Sequence, residues 1–289
     1  MGATISPRAA GILMMLLGVA CFALNDALGK WLVGGFAIGQ ILLVRSLAGM
    51  ALLAPAAWRT PGAFRRAPPG RMAVRAALHA GESAMFFLAL SFLPLADVVT
   101  IYMAAPIWVT ALSPWLLKEP VGWRRRIAVL VGFGGVVLAV GPGGGTLGWG
   151  SLVAVTGSFI YALFIIATRR LAGTPVVALL GWQVGAAALL GLGLVLVLVQ
   201  GWRPAGLLDL LPVALLGLGS LLGNGFVNKA LALAPAAAVV PWQYTGILWG
   251  VLLGWLVFQD VPEAHTLAGA AIIVAAGLYI LSRERARRG

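Results

Sequence analysis

The sequence has little charge. Only 10% of its 289 residues are Asp, Glu, Lys or Arg, whereas 61% are hydrophobic. Soluble domains carry about 25% charged residues, so this composition excludes a water-soluble fold of this length. A transmembrane helix needs about 20 mostly apolar residues, so the chain has room for about ten helices joined by short loops. We therefore predict an all-α membrane protein without large domains outside the membrane.

Cysteine and acidic residues are also scarce. The single cysteine, Cys21, lies within an apolar run, which excludes a disulfide framework and a cysteine-based metal site. The chain has 8 acidic and 20 basic residues, for a net charge of +12. In a soluble protein this excess would suggest a nucleic-acid partner. Because basic residues in short loops orient membrane helices, we expect no nucleic acid as a partner here.

The apolar residues fall into runs that are long enough to cross a membrane and that end at charged residues or at Pro and Gly. The first run lacks a clear cleavage site, so we interpret it as a retained helix rather than a signal peptide. The predicted spans are residues 9–30, 36–58, 72–92, 96–117, 125–141, 148–168, 175–199, 207–231, 236–258 and 265–282.

The basic residues predict how these spans are oriented. With a cytoplasmic N-terminus, 16 of the 20 basic residues lie at the termini or in even-numbered loops, which favours ten spans with both termini inside. Arg45 and Lys229 fall within spans, where we expect Arg45 to snorkel or pair with an acid and Lys229 to snorkel. The residues assigned to the inner side are Arg8, Arg59, Arg65, Arg66, Arg71, Arg75, Lys118, Arg124, Arg125, Arg126, Arg169, Arg170, Arg283, Arg285, Arg287 and Arg288.

The chain contains a weak internal repeat. Residues 93–120 align without a gap with residues 234–261, and Pro94 then meets Pro235. Each stretch has a short Pro-containing turn, a span, an acidic residue and the start of another span. This shared layout predicts that the chain consists of two related units.

The predicted units are residues 1–141 and 146–283, followed by a basic tail at 284–289. Because each unit has five spans, an odd number, the second enters the membrane in the opposite orientation. Inverted repeats are typical of alternating-access transporters, which bind a substrate near the midplane between the halves. We therefore predict two inverted five-helix repeats around a central cavity. Ten spans can form a complete path in one chain, so this layout permits a monomer.

Polar residues in the first span require an explanation. A carboxylate at the centre of a bilayer costs about 2.5–3.5 kcal/mol on insertion scales. Lys30 follows Asp26 by one helical turn, so a structural Asp26–Lys30 pair is one interpretation. The other is that Asn25 and Asp26 line a cavity and contact a substrate or a coupling proton.

The third span carries a polar face. His79, Glu82, Ser83 and Phe86 share one face of a helix. The repeat alignment brings polar residues of the eighth span, Asn224 among them, to the equivalent place. This recurrence predicts a shared cavity wall formed by His79, Glu82, Ser83, Phe86, Asn224 and Asn228. The alternative role is hydrogen bonding between helices, which contributes about 0.6 kcal/mol on average in membranes.

Pro106 and Pro241 interrupt the fourth and ninth predicted spans. A freed main-chain carbonyl is tolerated more easily beside a cavity than in lipid, so we expect both to be kinks that shape the binding site.

The sequence offers little enzyme chemistry. His79 and Glu82 suggest a metal or acid–base pair, but the only other histidine, His265, lies at the distant turn before the last span. The sequence lacks a catalytic triad motif and an HExxH motif, and the run at 141–145 lacks the Lys-Ser/Thr of a nucleotide-binding loop. We predict no metal, no cofactor and no enzyme, with an integral membrane enzyme acting on a lipid as the alternative.

Three motifs within the ten-span layout point to a known family. They are Asn25-Asp26 with Lys30, the segment 95–119 with Pro106, and Gly132-Phe133-Gly134-Gly135-Val136. With these motifs the chain resembles, over nearly its whole length, the EamA group of the drug/metabolite transporter superfamily. The resemblance implies a bundle with pseudo-two-fold symmetry in a bacterial cytoplasmic membrane, with the fifth and tenth helices as scaffold. Similar members take up S-adenosylmethionine or riboflavin, or export amino acids.

The resemblance also places Tyr102, Tyr161 and Trp242 on helices around the cavity, where we expect stacking on a planar or cationic substrate. Their alternative role is anchoring or packing near the membrane interface. The complete prediction is a secondary transporter of a small organic metabolite, similar to riboflavin, S-adenosylmethionine or an amino acid. We expect it to work by alternating access with Glu82 or Asp26 as the proton-coupling residue.

Overall fold

In a computed structural model, every regular element among the described residues is helical. The structure describes residues 6–60, 62–64, 68–118, 121–140, 148–171, 173–198 and 202–288, without the side chains of 236–237 and 283–288. The elements are α1 (Pro7–Val33), α2 (Ile38–Arg59), α3 (Pro69–Leu90), α4 (Leu95–Tyr102), α5 (Ala105–Leu116), α6 (Trp123–Val140), α7 (Trp149–Arg169), α8 (Val176–Val197), α9 (Leu211–Leu233), α10 (Ala236–Val239), a 3₁₀ helix (Val240–Tyr244), α11 (Thr245–Phe258) and α12 (Ala264–Arg288).

Each predicted span corresponds to helix in the structure, which confirms the helical membrane fold. Within the part of the chain that the structure describes, seven spans are long and apolar enough by themselves to cross a bilayer. The others are α3 and α6, which carry more charge, and the interrupted ninth span. The residues of the predicted basic tail continue α12 as far as Arg288. The predicted linker at 141–145 lies outside the described residues.

Two spans are built from more than one helix. The fourth consists of α4 and α5, and the ninth of α10, the 3₁₀ helix and α11. Pro106 lies in the first turn of α5, and Pro241 lies in the first turn of the 3₁₀ helix. Proline fits a first turn because it has no N–H to leave unpaired there. Both predicted interruptions are therefore present.

Helices from the two halves of the chain pack against each other. α1 packs on α9, α3 on α7 and α2 on α8, while α4 contacts α11 and α6 packs on α12. This pattern is unchanged when each of the first five spans is exchanged with the span five positions later. The pair formed by α6 and α12 lies to one side, and the remaining helices surround the centre of the bundle.

Small residues bring these helices close together. A Cβ added to Gly39 of α2 would lie 2.8 Å from the Leu194 Cβ, and one added to Gly191 of α8 would lie 2.8 Å from the Gly39 carbonyl oxygen. Neither position has room for a larger side chain. Close approach through small residues is the usual way in which membrane helices gain packing contacts, since lipid tails are as apolar as leucine.

Candidate functional site

A cavity of about 260 Å³ lies in the centre of the bundle, between helices of both halves. Its wall combines charged, polar and aromatic side chains. The lining residues are Phe22, Asn25, Asp26, Arg45, Ser46, Gly49, His79, Glu82, Ser83, Phe86, Phe87, Val99, Tyr102, Met103, Tyr161, Phe164, Leu180, Gln183, Val184, Ala187, Gly217, Ser220, Leu221 and Asn224. A wider groove of about 410 Å³ between α6 and α12 is mostly apolar and belongs to the outer surface of the bundle.

The structure brings most of the predicted site residues together. The ones that line the cavity are Asn25, Asp26, His79, Glu82, Ser83, Phe86, Tyr102, Tyr161 and Asn224. They come from the first and third spans, from the broken fourth span, and from two helices of the second half. The polar face of α3 and Ser220 and Asn224 of α9 thus line the same cavity.

Three predicted site residues do not line the cavity. Pro106 lies beyond the break between α4 and α5, where its carbonyl accepts a hydrogen bond of 2.8 Å from Thr110 Oγ1. Asn228 is exposed, because the cavity ends one turn earlier on α9, at Asn224. Trp242 belongs to the 3₁₀ helix and is 40% exposed. None of the three is among the residues that line the cavity, and a role for them in substrate binding stays a prediction.

A hydrogen-bonded chain crosses the charged part of the cavity. Arg45 Nη2 donates to Ser83 Oγ at 3.2 Å, and Ser83 Oγ donates to Glu82 Oε2 at 3.3 Å. His79 Nδ1 lies 3.3 Å from the same Glu82 oxygen. Arg45 thus faces the cavity, so the expectation that its side chain snorkels to the membrane interface is wrong. The alternative was pairing with an acid, and Arg45 is connected to the carboxylate of Glu82 through the Ser83 hydroxyl.

Asp26 is separate from Lys30. Lys30 Nζ donates to the main-chain oxygens of Leu90 at 2.9 Å and Leu93 at 2.6 Å, and so caps the end of α3. Among the residues that the structure describes, none donates a hydrogen bond to the Asp26 carboxylate, which lines the cavity. The structural pairing of Asp26 with Lys30 is therefore not formed. The cavity contains an acidic group with no direct partner from the described chain.

Aromatic rings form another part of the wall. The rings of Phe86 and Tyr102 meet edge to face with centroids 4.9 Å apart, and Tyr102 lies 6.3 Å from Tyr161. Tyr161 is stacked near Phe164, with centroids 6.1 Å apart and an interplanar angle of 19°. Aromatic pairs of this geometry gain about 0.5–1.5 kcal/mol beyond burial. The rings therefore hold each other in place while presenting faces and edges to the cavity.

Glycines give the cavity side chains their room. A Cβ on Gly157 of α7 would overlap the Tyr102 hydroxyl, which donates to the Glu82 carbonyl oxygen at 3.3 Å. On α9, a Cβ on Gly223 would come within 2.8 Å of the Phe22 ring. Absence of a side chain at these two glycines lets α7 and α9 approach the cavity without displacing its wall.

Arg75 forms a second polar network at the cavity wall. It is 5% exposed and donates from Nε to Thr168 Oγ1 at 2.8 Å, from Nη1 to the Leu179 oxygen at 3.0 Å, and from Nη2 to Gln183 Oε1 at 3.1 Å. Its guanidinium also lies 4.6 Å from the centroid of the Phe164 ring. Arg75 thereby joins α3 to α7 and α8, and two of its partners line the cavity.

The arrangement suits binding better than metal chemistry. His79 and Glu82 are neighbours of residue types that can bind a metal ion. Among the described residues, however, no group of three or more His, Cys, Asp or Glu is placed to hold one. The wall instead offers hydrogen-bond donors, two carboxylates and several rings around a space for a small organic molecule.

The sequence model of the EamA-like transporter family matches residues 9–141 and again residues 148–283. The chain belongs to the EamA-like transporter family. It is therefore a multi-pass membrane protein of a transporter family, which confirms the resemblance drawn from the sequence.

Several bacterial relatives of this EamA-like chain are similar over most of their length. It is 27% identical to an uncharacterized transporter of Helicobacter pylori over 280 residues, covering 93% of this chain and 94% of the relative. It is 26% identical to a riboflavin transporter of Rhizobium johnstonii over 295 residues, covering 96% and 92%. It is 22% identical to an S-adenosylmethionine uptake transporter of Rickettsia prowazekii over 277 residues, covering 95% and 93%.

A solved crystal structure has the same fold as this EamA-like chain. It superposes with a TM-score of 0.64 at 20% sequence identity and covers 97% of this chain and 99% of the other. At this identity the likeness shows the fold alone.

Sequence reasoning missed two residues that shape the cavity of this EamA-like protein. Arg75 was assigned to an inner loop, yet it is buried in α3 one turn before His79 and continues the same polar face. Gln183 is a lone polar side chain in an apolar helix. Extending the α3 face by one turn would have found Arg75. Gln183 stands out in the sequence only as an isolated polar residue, and the sequence does not show its partner.

Proposed function

We propose that this protein is a secondary transporter that moves a small organic metabolite across the bacterial inner membrane through its central cavity. The observation that carries the proposal is the placement of Asp26, Arg45 and Glu82 around one internal space in an apolar bundle. Charged side chains are expensive within a bilayer and mark substrate or ion pathways there. The membership in a transporter family supports this function.

Alternating access between two inverted halves is the proposed mechanism. The separate family matches in each half support a repeat. The helix contacts stay the same when each span is exchanged with its equivalent in the other half, which supports a two-fold relation between the halves. Because the cavity takes its wall from both halves, rocking one half against the other would expose it to each side in turn. We place both termini in the cytoplasm on the basis of the basic residues. One chain contains the whole cavity, which supports a monomer.

The proposed substrate has a planar ring and polar or charged groups. Phe86, Tyr102 and Tyr161 provide rings for stacking, and Asp26 and Glu82 provide partners for a cationic or hydrogen-bond-donating group. Two relatives carry the names of riboflavin and S-adenosylmethionine transporters, and both compounds combine a flat heteroaromatic part with polar groups. Riboflavin and S-adenosylmethionine are the first compounds to test, followed by amino acids.

Proton coupling is the proposed energy source. Glu82 is hydrogen-bonded to Ser83 and lies beside His79, while Asp26 faces the cavity without a donor from the described residues. Carboxylates and histidines in such positions form proton relays in many transporters. We propose Glu82 as the coupling residue, with Asp26 as the alternative.

Purified protein in liposomes tests the function directly. Liposomes loaded with unlabelled riboflavin or S-adenosylmethionine should accumulate the labelled compound by counterflow, and its chemical identity should be unchanged. Absence of counterflow with both compounds and with amino acids would contradict transport of this substrate class. A chemically altered product would instead favour a membrane enzyme.

A further inference from the structure

The orientation of the Gln183 amide follows from its contact with Arg75. The Arg75 guanidinium has five N–H donors and no acceptor, so the Gln183 atom that faces it must be the amide oxygen. This assignment does not depend on telling oxygen from nitrogen by position. The oxygen is thereby occupied, and the Nε2 group is the part of Gln183 left to face the cavity that its side chain lines.

Arg75 is held firmly enough to fix this orientation. Its Nε and Nη1 groups are bound to Thr168 and Leu179, and Thr168 Oγ1 in turn donates to the Phe164 oxygen at 2.8 Å. Arg75 is 5% exposed and Gln183 is 8% exposed. Rotating the amide by half a turn would place its NH₂ against the guanidinium and leave a buried donor facing a donor, which is unfavourable.

We infer that Gln183 presents an N–H donor to the substrate, that Arg75 is the positioning residue that sets this polarity, and that the substrate has a carbonyl or carboxylate acceptor facing α8. The inference rests on the proposed transport function. Arg45 is a further donor at the cavity wall, but its guanidinium contacts Ser83 of α3, so the donor facing the cavity from α8 is that of Gln183.

The cavity wall therefore carries donors as well as acceptors. Gln183 on α8 and Arg45 on α2 provide donors, whereas Asp26 on α1 and Glu82 on α3 provide acceptors. Glu82 already accepts a hydrogen bond from Ser83, so Asp26 is the acceptor left for a substrate. A substrate with acceptors alone would leave Asp26 without a donor in a low-dielectric site. The substrate class is thus a ring compound that carries an acceptor for Gln183 and a donor or cationic group for Asp26.

The variant Gln183→Glu tests the inference. Glutamate keeps the length and an oxygen for Arg75, and so preserves the link between α3 and α8, but it replaces the cavity-facing donor with a second acceptor. Riboflavin and S-adenosylmethionine binding to purified protein is measured together with the melting temperature. We expect Gln183→Glu to fold with an unchanged or higher melting temperature and to bind whichever compound the parent protein binds at least about tenfold more weakly.

Gln259→Glu is the matched control, because Gln259 is exposed and lies outside the cavity. It should bind like the parent protein. If Gln183→Glu also binds within about twofold of the parent, Gln183 only packs the helices and the donor assignment is overturned. Gln183→Met, which removes the donor and leaves Arg75 its two other acceptors, provides the same test if the glutamate variant does not fold. A parent protein that binds neither compound overturns the proposed substrates, whereas unchanged affinity in Gln183→Glu overturns the donor assignment alone.

Discussion

The Arg45 guanidinium on α2 and the Ser83 hydroxyl on α3 are joined by a hydrogen bond of 3.2 Å at the wall of the central cavity. Ser83 Oγ in turn donates a hydrogen bond to Glu82 Oε2, so the guanidinium and the carboxylate are connected through one hydroxyl and not by direct contact. The separation leaves faces of both charged groups available to a substrate. It also makes Ser83 the residue that sets the distance between them.

Replacing Ser83 with alanine removes this connection. We expect Ser83→Ala to leave the helices packed, since the change is small, but to weaken substrate binding about fivefold through loss of about 1 kcal/mol of hydrogen bonding. Isothermal titration of the purified variant measures this directly. Ser91→Ala is the control, because the exposed Ser91 hydroxyl bonds only to Leu88 at the end of α3. Equal affinities in Ser83→Ala and Ser91→Ala would contradict a role for the link.

Gly157 provides space for a cavity ring. A Cβ in Gly157→Ala would overlap the Tyr102 hydroxyl, so the ring must shift or α7 must move away. We expect a loss of about 1–3 kcal/mol in the free energy of unfolding together with weaker substrate binding. Melting temperature and binding are the measurements.

The control for Gly157→Ala is Gly185→Ala on α8. A Cβ on Gly185 meets no atom within 4 Å, and alanine is the better helix former. Stability should be unchanged or raised in this variant. If Gly157→Ala has the same melting temperature and affinity as Gly185→Ala, the Tyr102 ring can adopt another position without cost.

Lys30 should matter for stability and little for binding. It caps the main-chain oxygens of Leu90 and Leu93, whereas Asp26 faces the cavity. Lys30→Met therefore lowers the melting temperature through unpaired carbonyls and leaves substrate affinity near that of the parent protein. Lys229→Met, at an exposed position on α9, is the control and should change neither quantity. A large loss of affinity in Lys30→Met would point to an Asp26–Lys30 unit instead.

Glu82 should be required for coupling more than for exchange. In Glu82→Gln, we expect an imposed proton gradient to give no more uptake than the absence of a gradient, while counterflow of the labelled substrate persists. Glu263→Gln controls for the loss of one carboxylate, because the Glu263 side chain is 71% exposed and pairs with His265 outside the cavity. Gradient-driven uptake that survives in Glu82→Gln would move the coupling role to Asp26.

The spans and much of the cavity could be predicted because their physical causes act locally. Apolar runs must reach across a bilayer, and the polar face of α3 follows from helical periodicity at His79, Glu82 and Ser83. Arg75 was misassigned because a rule about loop charge was applied to a residue one turn inside a helix. Gln183 is meaningful only through its contact with Arg75, which is distant in the sequence and which no periodicity reveals. Asn228 shares the helical spacing of Asn224, but where a cavity ends depends on how neighbouring helices tilt.

The break between α4 and α5 has a consequence for the main chain of the cavity wall. In an uninterrupted helix the N–H of residue 106 would donate to the carbonyl of Tyr102, but Pro106 has no N–H to give. Tyr102 and its neighbour Met103 both line the cavity. The Tyr102 carbonyl oxygen therefore lacks the main-chain donor that an uninterrupted helix would supply four residues later. Pro106 thus changes the main-chain hydrogen bonding of a residue that lines the cavity, although Pro106 does not line the cavity itself.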